Sequence, residues 1–374
     1  DKRMNYTDGG ALHLEFILTR VFDEMGFERI ILLEDNMEIA PDFFEYFDHF
    51  GEALEEDESL FCVSAWNDNG QKQFVRDPTS FRRTSYFPGL GWMLTRRLWQ
   101  TELKEKWPRA FWDDWMRDDK QRKGRDCIYP EVSRTYTFGV EGTSSGQFFN
   151  KYLAPMKLNN VKVDYKMIGN KTDLRKDVWE TRLIEQIKQS TVVDDVEELI
   201  QPNSSIVSGS VVVYYKGEME YEYFGNLLGV MTDFKEGDPR CSYRGIVQFY
   251  LDNLFVSLVP TFESWIDQLA PLSALYANQI NQKPTNTFAV ESHVRKLFRN
   301  RVAVVVMCYN RPDYLNRTLQ NILQYKPKSL PLFVSQDGND LSVQNLIKHN
   351  YNTSVRYIQN YPREQIEGVS RTLI

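Results

Sequence analysis

The sequence predicts an α/β protein built on a sheet of buried strands, with a smaller α+β unit attached. Three observations carry this. Two short apolar runs, Ile30-Ile31-Leu32-Leu33 and Val302-Ala303-Val304-Val305-Val306-Met307, are aliphatic and end in polar residues. Runs of that kind read as strands buried on both faces. Helix-spaced segments lie next to each run. Beyond about residue 171, charged helical sequence gives way to short alternating segments, the mark of a separate unit.

Taken in order, Ala11 to Phe22 (ALHLEFILTRVF) has helical spacing and precedes the first strand. That strand reads as central and parallel, delivering Glu34-Asp35-Asn36 to the sheet's C-terminal edge, where open α/β sheets bind ligands. Pro41-Asp42 starts an aromatic helix, Leu60 to Trp66 (LFCVSAW) is a second buried strand, and Pro88 to Leu94 (PGLGWML) is a glycine turn entering an apolar segment. Residues 1–170 thus form one unit. A helix over Leu174 to Gln189 and the segments SIVSGSVVVYY and GIVQFYLDNLFVSLV make the smaller unit, 171–262. Residues 263–299, with ANQINQKPTNT, read as a linker. From 300 to 374 a new α/β pattern opens: strand, turn and helix over Arg301 to Leu323, then strands in LPLFVSQDGND and VRYIQNY.

A net charge of −7 with well-mixed signs argues against nucleic-acid binding. Aromatics make up 14%, which suits bulky cores or rings that stack on sugars or bases. No run approaches the ~18 apolar residues of a membrane span, and no signal peptide is visible. Cys62, Cys127, Cys241 and Cys308 lack the spacing of a zinc site. Sequons at Asn5, Asn170, Asn203, Asn316 and Asn352 favour a lumenal or secreted chain.

The blocks EDNMEIAPDFFEYF, VSAWNDNGQKQFV, FPGLGWML, KWPRAFWDDWMR, GRDCIYPEVSRTYTFG and GQFF resemble the N-acetylglucosaminyltransferase I family over nearly the whole chain outside the linker. The order differs from the family's, whose first strand stands here at Val302 to Met307. The chain is therefore a permuted domain or a window across two tandem copies, and its start on Asp1 favours the window. A flexible linker of about 38 residues has an r.m.s. span of ~35 Å and can stretch further, so closure of one domain is geometrically open.

The resemblance implies a glycosyltransferase A-type, Rossmann-like sheet and an inverting, Mn²⁺-dependent transfer of GlcNAc from UDP-GlcNAc to an oligomannose N-glycan. It also implies a Golgi-membrane protein with a lumenal catalytic domain, the membrane anchor lying outside this chain. By the same resemblance Asp113 is the general base. Arg311 serves the diphosphate and Asp337 the nucleoside. His13, Ser144, Glu34 and Asp35 contact the donor, and Trp112 and Leu90 shape the sugar pocket. The segment from Val140 to Phe149 matches a closing lid, and Cys62 and Cys127 match a disulfide. A second family bridge has lost both ends, at Tyr309 and Gly338. Taken alone, these residues have plainer readings: an acidic helix start at Asp113-Asp114, a core imidazole at His13, a helix cap at Arg311 and a turn at Asp337-Gly338. Asn36 stands where the family places the aspartate that ligates Mn²⁺. An amide oxygen can coordinate a hard cation, but without the charge. Two alternatives follow: a weakened UDP-sugar- or glycan-binding pseudoenzyme, and a transferase acting on protein O-mannose.

Overall fold

The computed structural model describes residues 2–140, 149–166, 168, 171–235, 237–261 and 301–360. Its strands are β1 (Arg29–Glu34), β2 (Met37–Ile39), β3 (Leu60–Ser64), β4 (Phe81–Thr84), β5 (Trp92–Thr95), β6 (Asp126–Pro130), β7 (Thr135–Thr137), β8 (Thr191–Val192), β9 (Gly209–Tyr215), β10 (Phe234–Lys235), β11 (Asp238–Pro239), β12 (Val247–Leu251), β13 (Leu254–Pro260), β14 (Val302–Cys308), β15 (Leu332–Asp337) and β16 (Arg356–Asn360). The main sheet has the order β16-β15-β14-β1-β5-β3-β6-β4. β1 and β14 pair in parallel, Arg29 opposite Val302 through Glu34 opposite Met307. Segments on either side of residues 262–300 therefore share one sheet. The predicted linker lies outside the described residues.

Strand alternation divides the apolar side chains between two layers. Ile31 and Leu33 join Val302, Val304 and Val306 in a core with Phe43 and Phe47 of the helix Phe43–Gly51 and Leu315, Leu319 and Ile322 of the helix Pro312–Tyr325. Ile30 and Leu32 face the other way with Ala303 and Val305, against Leu14, Ile17 and Leu18 of the helix Lys2–Leu18. Each such side chain, fully buried, contributes roughly 1.5–3 kcal/mol. A one-residue slip of β1 would exchange the two faces and drive Glu34 inward.

Two expectations need correction. β1 is central, but only its β14 side is parallel; β5 runs antiparallel on the other. The predicted strand through Trp66 stops at Ser64, because the Ser64 hydroxyl accepts from the Trp66 N–H at 3.1 Å and turns the chain.

The smaller sheet has the order β12-β13-β9-β8. Its two faces carry helices: Tyr221, Phe224 and Leu228 of Gly217–Leu228 pack on Val211 and Val213, while Leu183, Ile184 and Ile187 of Lys176–Gln189 pack on Val212 and Val259. Contacts such as Arg82 Nη1 to the Gln248 carbonyl (2.8 Å) and Thr84 Oγ1 to the Ser242 carbonyl (2.6 Å) join it to the main sheet.

Candidate active site

The site lies along the C-terminal ends of β1, β14 and β15. Glu34 closes β1, and Asp35 and Asn36 form the turn into β2. That turn is fastened from a distant part of the chain. Thr318 Oγ1 donates to the Asp35 carbonyl at 2.8 Å and accepts from the Met37 N–H at 3.1 Å, and the Ile39 N–H donates to Asn321 Oδ1 at 2.7 Å. Neither Thr318 nor Asn321 carries a sequence signal for this; both simply lie on one face of the 312–325 helix.

Arg311 precedes that helix, whose N-terminus opens on the same edge and favours negative charge. Its guanidinium is ion-paired with Asp35 and lies 5.1 Å from the Tyr314 ring centroid. Burial raises the Asp35 carboxyl above its usual range despite the opposing pull of Arg311. Glu34 goes further, pushed up to about 7 by burial first and then by the neighbouring charges of Asp35 and Asp113, against Arg311.

Asp113 thus stands close enough to be felt by Glu34. It sits on the short helix Trp112–Arg117, entered through Phe111 in a left-handed conformation (φ 51°, ψ 45°). Arg117 was not singled out from sequence, although helical i,i+3 and i,i+4 spacing to two acids could have marked it. Its buried guanidinium bridges Asp113 Oδ2 at 2.7 Å and Asp114 Oδ1 at 2.8 Å. Burial pulls the Asp113 carboxyl upward, but the charge and hydrogen bond of Arg117 outweigh it and hold it below the usual range. Asp113 is therefore an anion, still half-exposed.

Trp112 stacks on Trp92 with centroids 5.9 Å apart. Leu90 is partly buried, and its carbonyl accepts from Thr135 Oγ1 at 2.7 Å. It lies between Gly89 and Gly91 in a run of three positive φ values, 70°, 49° and 92°. At Gly91 a Cβ would fall 2.6 Å from Thr135 Cγ2, so only glycine fits there.

At the far end of the edge, Asp337 Oδ1 accepts from Asn360 Nδ2 at 3.0 Å. Burial raises this carboxyl. His13 is buried and its Nε2 lies 2.9 Å from Ser335 Oγ, two residues before Asp337 on the same face of β15. Burial lowers its pKa to about 4, so the ring is neutral. Ser144 and most of the predicted lid, 141–148, lie outside the described residues. Cys62 and Cys127 are disulfide-bonded across β3 and β6, with Cα atoms 4.6 Å apart. At the other family bridge the Tyr309 ring fills the space beside Gly338, 3.3 Å from where a Cβ would stand.

Among the described residues no group of three His, Cys, Asp or Glu side chains is placed to hold a metal. A different observation favours a cation. Asn36 Oδ1 is buried and has no hydrogen-bond partner among the described residues. A buried acceptor left without a donor is costly, and a hard divalent ion takes such oxygens as ligands. The oxygen donors present fit Mn²⁺, with Asn36 supplying no charge.

An α/β sheet with acids, an arginine and a helix N-terminus on one strand edge is the arrangement at which open α/β sheets bind their ligands. The chain belongs to the GNT-I family, whose model matches residues 6–272 and 261–369. Over 241 residues it is 43% identical to a protein of Arabidopsis thaliana named alpha-1,3-mannosyl-glycoprotein 2-beta-N-acetylglucosaminyltransferase, a match covering 64% of this chain and 53% of that protein. The chain thus spans about half the length of this curated relative.

Proposed function

We propose that the protein is an inverting glycosyltransferase that moves GlcNAc from UDP-GlcNAc, in β1,2 linkage, to the α1,3-arm mannose of an oligomannose N-glycan. This would start hybrid and complex N-glycan synthesis. The observation that carries the reading is that the half-exposed Asp113 carboxylate stands within electrostatic reach of Glu34 at the end of β1, beside Asp35 and its ion-pair partner Arg311.

Inversion needs a base on the attack side and positive charge on the leaving side. Asp113 accepts the proton of the mannose 2-hydroxyl as that oxygen attacks C1, and Arg117 keeps its carboxylate oriented and ionised. Arg311 and the N-terminus of the 312–325 helix face the diphosphate, with Arg311 exchanging some of its pairing with Asp35 for phosphate oxygens. Asp337 takes the nucleoside, with neutral His13 held against Ser335 two residues before it. Asn36 Oδ1, with Asp35 beside it, would hold Mn²⁺. When bound, the ion supplies Lewis-acid stabilisation of the departing diphosphate. Trp112 and Leu90 shape the sugar pocket, and Ser144, by the family resemblance, contacts the donor. The disulfide is in keeping with an oxidising lumen, and we place the protein in the Golgi, anchored through a segment outside this chain. No described helix is long and apolar enough to cross a membrane.

The test is incubation with UDP-GlcNAc, Mn²⁺ and a five-mannose glycan, which should yield one added β1,2-linked residue. Asp113→Asn is expected to lower turnover by ~10²–10⁴-fold, the usual contribution of a general base, with UDP affinity nearly unchanged by calorimetry. Near-full activity of that variant would remove Asp113 from its role. One observation favours a second reading: the neutral Asn36 suits a donor-binding pseudoenzyme, which calorimetry would reveal as binding without turnover. Competition between the N-glycan and a protein O-mannose acceptor separates the remaining enzymatic alternative.

A further inference from the structure

We propose that Asn203 and Asn352 are N-glycan attachment sites, and that Asn316, which carries the same N-x-S/T motif, is not. The motif alone cannot choose among them. Exposure and local conformation can.

Asn352-Thr353-Ser354 is a turn with all three residues exposed, closed by the Ser354 N–H to the Tyr351 carbonyl at 2.9 Å. Asn203 and Ser205 are exposed in another turn, where the Ser204 N–H donates to the Gln201 carbonyl at 3.1 Å. Neither asparagine side chain makes a hydrogen bond among the described residues. A turn also lets the amide and the hydroxyl two residues on approach each other, as the transfer requires.

Asn316 differs on each count. It lies inside the helix Pro312–Tyr325, and its Oδ1 accepts from the Tyr351 hydroxyl. Its motif hydroxyl, Thr318, is fully buried and spent on the acidic turn, donating to the Asp35 carbonyl at 2.8 Å. A glycan there would separate Tyr351 from the helix and disturb the fastening of the acidic turn.

At Asn352 the donor edge stays clear. Asn352 lies on the rim of a cleft of about 690 Å³, with Lys326, Lys328 and Arg356, at the N-terminal ends of β15 and β16. Asp337 lies at the opposite end of β15, five residues beyond Leu332, or ~17 Å at ~3.3 Å per residue. Asn203 belongs to the smaller unit, just before β9.

In the transfer, the Asn Nδ2 loses one proton and bonds to C1 of an oligosaccharide. The C1–O bond to its lipid pyrophosphate carrier breaks, and the pyrophosphate leaves with the electron pair. The proposal rests on lumenal residence, which the Cys62–Cys127 bond supports, and not on turnover.

To test it, the 374-residue chain is secreted from a eukaryotic host behind a cleavable signal peptide. Enzymatic release of N-glycans converts each occupied Asn to Asp, which peptide mass spectrometry reads site by site. The expected result is Asp at 203 and 352 in most molecules and intact Asn at 316. Ser205→Ala and Ser354→Ala, which keep the asparagines, should each abolish conversion at their own site only and leave GlcNAc transfer unchanged. Intact Asn at 203 or at 352 overturns that assignment, and conversion at 316 in the folded protein overturns the exclusion. Because the readout is mass, a chain that is modified but inactive counts against the proposed activity and not against these sites.

Discussion

Asp35 and Asp42 both face a guanidinium, and they are used in opposite ways. Asp42 and Arg134 are completely buried. Asp42 Oδ2 accepts from Arg134 Nη2 at 3.0 Å and from the Tyr165 hydroxyl at 2.7 Å, and its Oδ1 accepts from Asn159 Nδ2 at 2.8 Å. Arg134 donates in addition to the Val132 carbonyl at 2.7 Å. The set is closed, with both partners richly hydrogen-bonded inside the protein. Asp35 meets Arg311 at the sheet edge, where Arg311 remains 31% exposed, and the adjacent Asn36 Oδ1 has no partner among the described residues. A closed polar set holds a fold together, whereas an open one at a strand edge is where a ligand completes the bonding.

The largest expected effect breaks the closed set. Asp42→Ala leaves Arg134 buried and unpaired, which should cost about 3–5 kcal/mol, read as a fall in the urea midpoint. Asp35→Ala should cost about 1 kcal/mol or less, since Arg311 can turn to water. Equal losses for the two variants would erase the distinction.

Next in size is the charge missing at position 36. Asn36→Asp should tighten Mn²⁺ binding in the presence of UDP by roughly ten- to a hundred-fold, the equivalent of 1–3 kcal/mol for contacts to charged groups. Electron paramagnetic resonance of free Mn²⁺ reads this without reference to turnover. An unchanged affinity would assign the ion to Asp35 and the diphosphate alone.

The smallest effect concerns Glu34. Its folded pKa of about 7 lies above the ordinary value of 4.5, so the unfolded chain releases this proton first. Stability then falls as pH rises from about 4.5 through 7. Glu34→Gln removes the penalty: in metal-free buffer it should gain about 1–2 kcal/mol at pH 8, discounted for residual solvent contact, and nothing at pH 4.5. Thermal unfolding at the two values decides it. A gain at both would mean packing rather than charge.

Much of this was legible from the chain. The continuous apolar runs Ile30 to Leu33 and Val302 to Met307, with acids at the end of the first, sufficed for two buried strands and a candidate ligand edge, because burial on both faces demands such residues in any context. Family resemblance supplied the candidates Asp113, Arg311 and Asp337. What local pattern could not carry was anything requiring two distant segments at once. The parallel pairing of β1 with β14, the Thr318 fastening of the acidic turn and the closed set around Asp42 each join residues far apart in sequence. Ionisation belongs to the same class. The sequence shows Glu34, Asp35 and Asp113 as equal carboxylates; burial raises the first two against the pull of Arg311, and Arg117 lowers the third against burial. Side-chain type and spacing are local properties and can be read along a chain, whereas desolvation and Coulomb energies depend on three-dimensional distance, which tertiary structure alone determines.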